Sequence, residues 1–120
     1  MLRGVVGINQ ALLRAGLVPR LYSSKTKYVL EKNSQEVFAD ALTTWKRGRG
    51  DCDRLSAWRL AELLIDWRAA GKPGKRPKLW FRCRRKKSGK GHIVHVTVVL
   101  SDGTHEDPSL VMLRKQRRIV

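Results

Sequence analysis

The stretch from residue 67 to residue 101 carries eleven basic residues and no acidic residue, so all ten acidic residues of the chain lie outside it. Segregated charge of this kind attracts polyanions, because a surface of mixed charge would cancel its own field. Trp80 and Phe81 lie among the basic residues, and an exposed aromatic ring can stack on an unpaired base. A short charged run is usually only solvated surface, but a run this long without a counter-charge predicts contact with a nucleic acid.

Phosphate contacts are also predicted at a basic, glycine-containing turn near residue 48 and at the basic C-terminal end. The turn has an alternative role as a plain connection between two helices. Phosphate contacts position a protein on a polyanion and carry no sequence information. The predicted RNA-binding residues are Arg47, Arg49, Lys72, Lys75, Arg76, Lys78, Trp80, Arg82, Arg84, Arg85, Lys86, Lys87, Lys90, Arg114, Lys115, Arg117 and Arg118.

Catalytic chemistry finds little support in the sequence. Glu62 and Asp66 are one helical turn apart, but both lie on a polar stripe that is predicted to face solvent. His105 and Asp107 are close in sequence, yet nothing marks them as a catalytic pair. The glycine-rich stretch at residues 89–91 lacks the spacing of a phosphate-binding loop. We therefore do not expect an enzyme, and no cofactor is implied.

A metal site is not expected either. The chain has two cysteines, Cys52 and Cys83, and they form no Cys-x-x-Cys pair. His92 and His95 are three residues apart on a predicted strand, so their side chains point to opposite faces. Two thiols also make no disulfide framework.

Two helices are predicted to precede the basic stretch. The first begins with Asn33 as its cap and Glu36 at the third helical position, and it continues to Trp45. The second runs from Asp53 or Leu55 to residue 70.

Apolar side chains cover more than half of the circumference of the second helix, so it needs neighbours on more than one side. Either the first helix and the sheet enclose it, or a partner protein completes its burial. Trp58, Ile65 and Trp67 are the predicted protein-interface residues, although a place in the core is the commoner role for each tryptophan.

Strands are predicted after residue 78. Alternation over residues 79–84 indicates a half-buried strand, and residues 92–100 are apolar on both faces, which predicts a central strand. Asp102 and Gly103 suit a tight hairpin turn, and a short third strand is predicted at residues 104–106. The Asp107-Pro108 pair either opens a final helix or bends the chain.

The first 22 residues contain three arginines and no acidic residue. Arg3, Gln10 and Arg14 share one face of a helical wheel, with Leu2, Val6 and Leu13 on a neighbouring face. This pattern resembles a mitochondrial transit peptide, and residues 20–23 resemble the pattern that the matrix processing protease reads. The predicted processing-site residues are Arg20, Tyr22 and Ser23.

The segment has two alternative interpretations, a secretory signal and a surface helix. A secretory signal needs an unbroken apolar stretch, but Asn9, Gln10 and Arg14 interrupt every candidate run. An ordinary N-terminal surface helix is the remaining alternative. No stretch approaches the length of about 18 apolar residues that indicates a membrane span.

The expected organisation is a transit peptide at residues 1–22 and one small basic domain at residues 23–120. Cleavage after Tyr22 would leave 98 residues, with 23 basic and ten acidic side chains and a net charge of +13. The predicted fold class is α+β: two N-terminal helices, an antiparallel β-hairpin or short sheet, and a basic C-terminal tail.

The combination of presequence, small α+β body, basic loops and basic tail resembles the mitochondrial ribosomal proteins as a class. The resemblance implies a structural subunit in the mitochondrial matrix that binds ribosomal RNA and neighbouring mitochondrial ribosomal proteins. One alternative is a matrix-facing accessory subunit of an inner-membrane respiratory complex. Another is a free mitochondrial protein that binds RNA or DNA.

Overall fold

The structure is a computed structural model, and it describes residues 2–29, 40–85, 89 and 92–118. Its helices are α1 (Leu2–Arg14), α2 (Ala41–Arg47), α3 (Cys52–Ala69) and α4 (Pro108–Arg118), with a short 3-10 helix at Leu21–Ser23. Its strands are β1 (Lys27–Tyr28), β2 (Arg49–Gly50), β3 (Lys78–Arg85), β4 (His92–Val99) and β5 (His105–Glu106). The predicted α+β class is confirmed, whereas the predicted helix start at Asn33 and Glu36 lies outside the described residues.

Helix α3 is the element on which the others pack. The side chain of Asp51 accepts a hydrogen bond from the Cys52 N–H at its first turn. At its C-terminal end Gly71 adopts φ +86°, and the Lys72 N–H reaches back to the Trp67 carbonyl at 2.8 Å. Glycine is the residue that takes this left-handed conformation without strain, so the helix ends here. The bounds agree with the sequence prediction.

The chain itself covers the broad apolar surface of α3. One core cluster joins Val5 and Val6 of α1 to Leu60 and Leu64 of α3 and to Val98 of β4. A second cluster on the helix contains Leu55 and Trp58 with Val18, Leu21 and Met112. The sequence left open whether the chain or a partner protein completes this burial, and the structure shows that the chain does so.

Strands β3, β4 and β5 form an antiparallel sheet in the order β3-β4-β5. The predicted central position of the strand at residues 92–100 is therefore confirmed. Leu79 is paired with Val98, and Phe81 is paired with Val96. Val96 and Val98 are buried, and the Ser56 hydroxyl of α3 donates to the Val96 carbonyl at 2.8 Å. This face, the inner face of the sheet, is directed toward α3.

A two-stranded parallel pairing of β1 with β2 was not predicted. It forms beside α2, where Gly50 approaches Thr44 so closely that a Cβ atom would lie 2.7 Å from the Thr44 methyl carbon. Only glycine fits such an approach without a shift of its neighbours. The sequence pattern missed the pairing because two-residue strands carry no periodicity.

The basic C-terminal residues form a helix, not an extended tail. Asp107 accepts a hydrogen bond from the Leu110 N–H at 3.2 Å, and Pro108 occupies the first helical position. Met112 is buried, and the Gln116 side chain accepts a hydrogen bond from the Tyr28 N–H at 2.7 Å. Of the two roles left open for Asp107-Pro108, the structure shows helix initiation.

Helix α1 belongs to the same packed body as the rest of the chain. Its buried stripe consists of Val5, Val6, Asn9 and Gln10, whereas Ile8 is half exposed. The sequence placed Gln10 on the face shared with Arg3 and Arg14 and treated Asn9 as an interruption of the apolar run, and it gave no indication that either amide is buried. Each amide is buried because it has a tertiary hydrogen-bond partner. The core clusters of the described residues contain side chains from both sides of residue 22.

Replacement of Trp58 by Ala should destabilise the protein by about 3–5 kcal/mol, because a buried ring leaves a cavity in the core. Trp58 is fully buried, and its indole N–H donates to the Pro19 carbonyl at 3.1 Å. Trp45 is 40% exposed, so W45A is a matched control that should cost less than about 1 kcal/mol. Urea denaturation of the full chain measures both. Equal losses in the two variants would contradict this core assignment.

Candidate nucleic-acid interface

The outer face of the sheet, directed away from α3, carries the side chains of Lys78, Trp80 and Arg82 from β3. Trp80 is 45% exposed, and Arg82 is also exposed. The Lys78 ammonium lies 5.8 Å from the centre of the Trp80 ring, and the His105 ring meets Trp80 edge to face at 5.4 Å. The Lys78 and His105 contacts hold the indole ring beside a positive charge, and nearly half of the Trp80 surface remains exposed. The outer face therefore offers an aromatic ring and cations to a ligand.

The loop between α3 and β3 adds further positive charge. Lys72, Lys75 and Arg76 are all exposed, and they form no ion pair with any carboxylate that the structure describes. Lys78 and Arg82 likewise form none within the described part of the chain. A polyanion that approaches this side thus meets cations that no described carboxylate neutralises.

Two acidic residues that follow the sheet, Glu106 and Asp107, are occupied by other contacts. Glu106 accepts hydrogen bonds from Tyr22 and from Arg59, both at 2.6 Å. Asp107 lies 2.8 Å from the ring nitrogen Nε2 of His95. These two carboxylates therefore serve the interior and the helix start, whereas the exposed Asp102 follows Ser101, whose carbonyl accepts a hydrogen bond from the Lys75 N–H of the basic loop.

The remaining predicted RNA contacts fall into three groups. Arg114, Lys115 and Arg117 are exposed on α4, which packs against β1, and Arg47 and Arg49 lie where α2 leads into β2 beside the same strand. They adjoin β1, away from the basic loop. The backbones of Arg84, Arg85 and Arg118 are described, but their side chains are not. Lys86, Lys87 and Lys90 lie outside the described residues.

Phe81 and Trp80 lie on opposite faces of β3, as the alternation of a strand requires. Phe81 is on the inner face, where Val94 lies diagonally across from it on β4, and more than half of each side chain is exposed. Phe81 and Val94 thus continue the apolar surface of the inner face beyond the buried Val96. The sequence did not single out Val94, since a β-branched residue in an apolar strand gives no signal of exposure.

The predicted protein-interface residues on α3 offer little surface. Trp58 is fully buried in the core, so it has no surface for a partner. Ile65 and Trp67 are half-buried. The indole N–H of Trp67 donates to the Pro73 carbonyl at 2.9 Å, and Lys72 lies 6.0 Å from the ring centre. The loop after α3 thus covers Trp67 from within the chain.

The predicted processing-site residues are held by contacts that we call the N-terminal polar cluster: residues 20–22 with Arg59, Glu62, Asp66 and Glu106. Arg20 donates two hydrogen bonds to Asp66, at 2.7 and 2.8 Å. The Leu21 N–H donates to Glu62 at 2.5 Å, and the Tyr22 hydroxyl donates to Glu106. Ser23, the third predicted residue, ends the short 3-10 helix. The cluster attaches the N-terminal segment to α3 and β5.

Glu62 was expected to face solvent, and that expectation was wrong, because its side chain is only 1% exposed. Burial raises the pKa of its carboxyl group, while the Leu21 N–H and Arg59 act in the opposite direction. Asp66 remains exposed, and hydrogen bonding from Arg20 lowers its pKa. Desolvation and the hydrogen bond to Glu106 raise the pKa of Tyr22, so this hydroxyl keeps its proton.

Within the described part of the chain, His105 and Asp107 do not form a pair, and the cysteines and histidines form no metal site. Asp107 pairs with His95, whereas His105 stacks against Trp80. The described residues contain no group of three or more His, Cys, Asp or Glu side chains placed to hold a metal ion. Among the described helices, none combines the length and apolar character that crossing a membrane requires.

Comparisons with protein-family models, with curated proteins and with solved structures found no match for this chain.

Thiol alkylation should distinguish the two cysteines. Cys83 is exposed on β3, whereas Cys52 is buried and burial raises the pKa of its thiol to about 12. Only about one Cys52 thiol in ten thousand is then ionised at pH 8, and the thiolate is the reactive form. Iodoacetamide should therefore modify Cys83 alone until urea unfolds the protein, as read by intact mass. Equal rates in the folded protein would show that the N-terminal end of α3 is open.

Proposed function

We propose that this protein is a structural subunit of the mitochondrial ribosome that binds ribosomal RNA through the outer face of its sheet and the adjoining basic loops. The observation that carries the proposal is the exposed Trp80 ring flanked by Lys78 and Arg82. A sheet that presents an aromatic ring among cations suits an unpaired base, with the neighbouring phosphates held by lysine and arginine.

The charge distribution supports a polyanion as the ligand. The chain carries 26 basic and ten acidic residues, and Lys72, Lys75 and Arg76 are without a described counter-charge beside the outer face. Repulsion among so many cations is relieved when counterions or phosphates gather at this side. Binding through phosphates is largely independent of base sequence, which suits a subunit that is positioned on an RNA surface and does not select a message.

Contact with neighbouring ribosomal proteins is part of the proposal. The apolar helix α3 is largely covered by its own chain, so the exposed Phe81 and Val94 on the inner face support such a contact better than Trp58, Ile65 or Trp67. Neighbouring apolar side chains that remain exposed often mark a protein–protein interface.

Sedimentation of a mitochondrial matrix lysate tests the assignment as a whole. A ribosomal subunit should sediment in a heavy peak that ribonuclease removes. An accessory subunit of a respiratory complex would travel with that complex and would not respond to ribonuclease. A free RNA- or DNA-binding protein would remain in the light fractions.

Replacement of Trp80 by Ala should weaken binding to single-stranded RNA by about 1–3 kcal/mol, because one stacked base is lost. Trp45 is exposed to a similar extent but lies on α2, so W45A is the matched control and should bind as the unaltered protein does. Fluorescence anisotropy of a labelled oligouridine measures both variants. An equal effect of the two substitutions would remove the stacking role of Trp80.

Replacement of Arg84, Arg85, Lys86 and Lys87 by Ser should flatten the salt dependence of RNA binding. Each phosphate contact contributes roughly 0.7–0.9 to the slope of log affinity against log salt, so the four changes should reduce the slope by about three units. The loss should be similar for RNAs of different sequence, and the fold should persist. An unchanged slope, together with unchanged sedimentation with ribosomes, would favour the respiratory-complex alternative.

A further inference from the structure

The N-terminal helix is fixed by more than its amphipathic character. Asn9 is fully buried, and its carbonyl oxygen accepts a hydrogen bond from the Ala41 N–H at the first turn of α2, at 2.7 Å. Gln10 is also buried and accepts a hydrogen bond from Arg68 at 2.9 Å. A segment that acts only as an import signal needs a basic and an apolar face, not buried amides with defined partners.

Residues 20–24, at the end of this segment, are also held by specific contacts. The Leu21 side chain is fully buried, and Ser24 donates a hydrogen bond from its hydroxyl group to the Leu21 carbonyl at 2.6 Å. Arg20 and Tyr22 are bound to Asp66 and Glu106. A protease requires its substrate backbone to be extended and accessible, and this backbone is folded into a short 3-10 helix in which Leu21 is buried and Ser23 is exposed.

Cleavage after Tyr22 would harm the rest of the fold. It would remove Val5 and Val6 from the core and so expose Ala57, Leu60 and Leu64 of α3. It would also remove the Leu21 N–H that neutralises part of the buried charge on Glu62. A buried charge that loses a partner is strongly destabilising.

We propose that residues 2–22 serve first as an import signal and then remain in the mature protein as part of its core, because folding hides the protease pattern at residues 20–23. This inference rests on the proposed import into mitochondria. The unfolded chain presents a basic amphipathic segment followed by an accessible pattern. The folded chain buries the inner stripe of α1 and Leu21 and holds Arg20 and Tyr22 in hydrogen bonds, so folding and cleavage compete for the same residues.

The test uses the full-length protein and purified matrix processing protease, and it reads the products by intact mass. The unfolded chain should be cut between Tyr22 and Ser23, and the folded protein should resist. The double variant D66N/E106Q weakens the N-terminal polar cluster and leaves residues 20–23 unchanged. It should be cut at least about tenfold faster than the unaltered protein, because cleavage of a folded protein follows the population of its opened state.

Asp40→Asn is the matched control. Asp40 caps α2 by accepting a hydrogen bond from the Thr43 N–H, away from the cluster, and asparagine caps equally well. This variant should resist the protease as the unaltered protein does. Cleavage of the folded, unaltered protein as fast as that of the unfolded chain would overturn the proposal. So would an unfolded chain that is not cut after Tyr22, since folding would then hide no readable site.

The N-terminus of the protein isolated from mitochondria gives a second measurement. We expect it to lie before α1, and a mature chain that begins at Ser23 would overturn the proposal. A protein that is absent from ribosomes but keeps residues 2–22 would instead contradict the proposed function alone. The protease assay needs neither RNA nor ribosomes, so failure of the two proposals can be told apart.

Discussion

The buried carboxylate of Glu62 is the interaction on which the remaining structure depends. It accepts hydrogen bonds from the Leu21 N–H and from Arg59, and Arg59 also binds Glu106, which in turn accepts the Tyr22 hydroxyl. One connected set of charges thus joins the N-terminal segment, the central helix and the edge strand. Because a buried ion is tolerated only when it is fully paired, these three elements must assemble together.

This interior arrangement leaves the opposite side of the sheet free for a ligand. Glu62 and Asp66 of α3 and Glu106 of β5 are used in the N-terminal polar cluster, so they do not neutralise Lys78 and Arg82 on the outer face. The inner face contributes Val96 and Val98 to the core, whereas Trp80 remains exposed. The outer face therefore carries Lys78, Trp80 and Arg82 together with His95, the cross-strand partner of Arg82, whose ring nitrogen contacts Asp107.

Hydrophobic periods of two residues for strands and 3.6 residues for helices were enough to predict α3, the central position of β4 and the α+β class. These periods are clear in long segments because the buried positions recur regularly along them. Hydrophobic periodicity failed at positions where the buried side chain is polar. Glu62 was predicted to face solvent, and no pattern predicted the burial of Asn9 and Gln10, yet each of the three has a partner that only the fold supplies. For the candidate site, composition identified the basic stretch and strand alternation placed Trp80 and Phe81 on opposite faces, but only the structure shows that Phe81 stays exposed on the inner face.

The contact between Tyr22 and Glu106 spans 84 residues of the chain. Such a contact closes a very long loop, and its entropic cost can be met only when most other elements are already in place. A ribosome that synthesises the chain from its N-terminus releases residue 22 long before residue 106. Throughout that interval Tyr22 has no partner from β5, so translation order alone leaves the N-terminal segment without this attachment until late in synthesis.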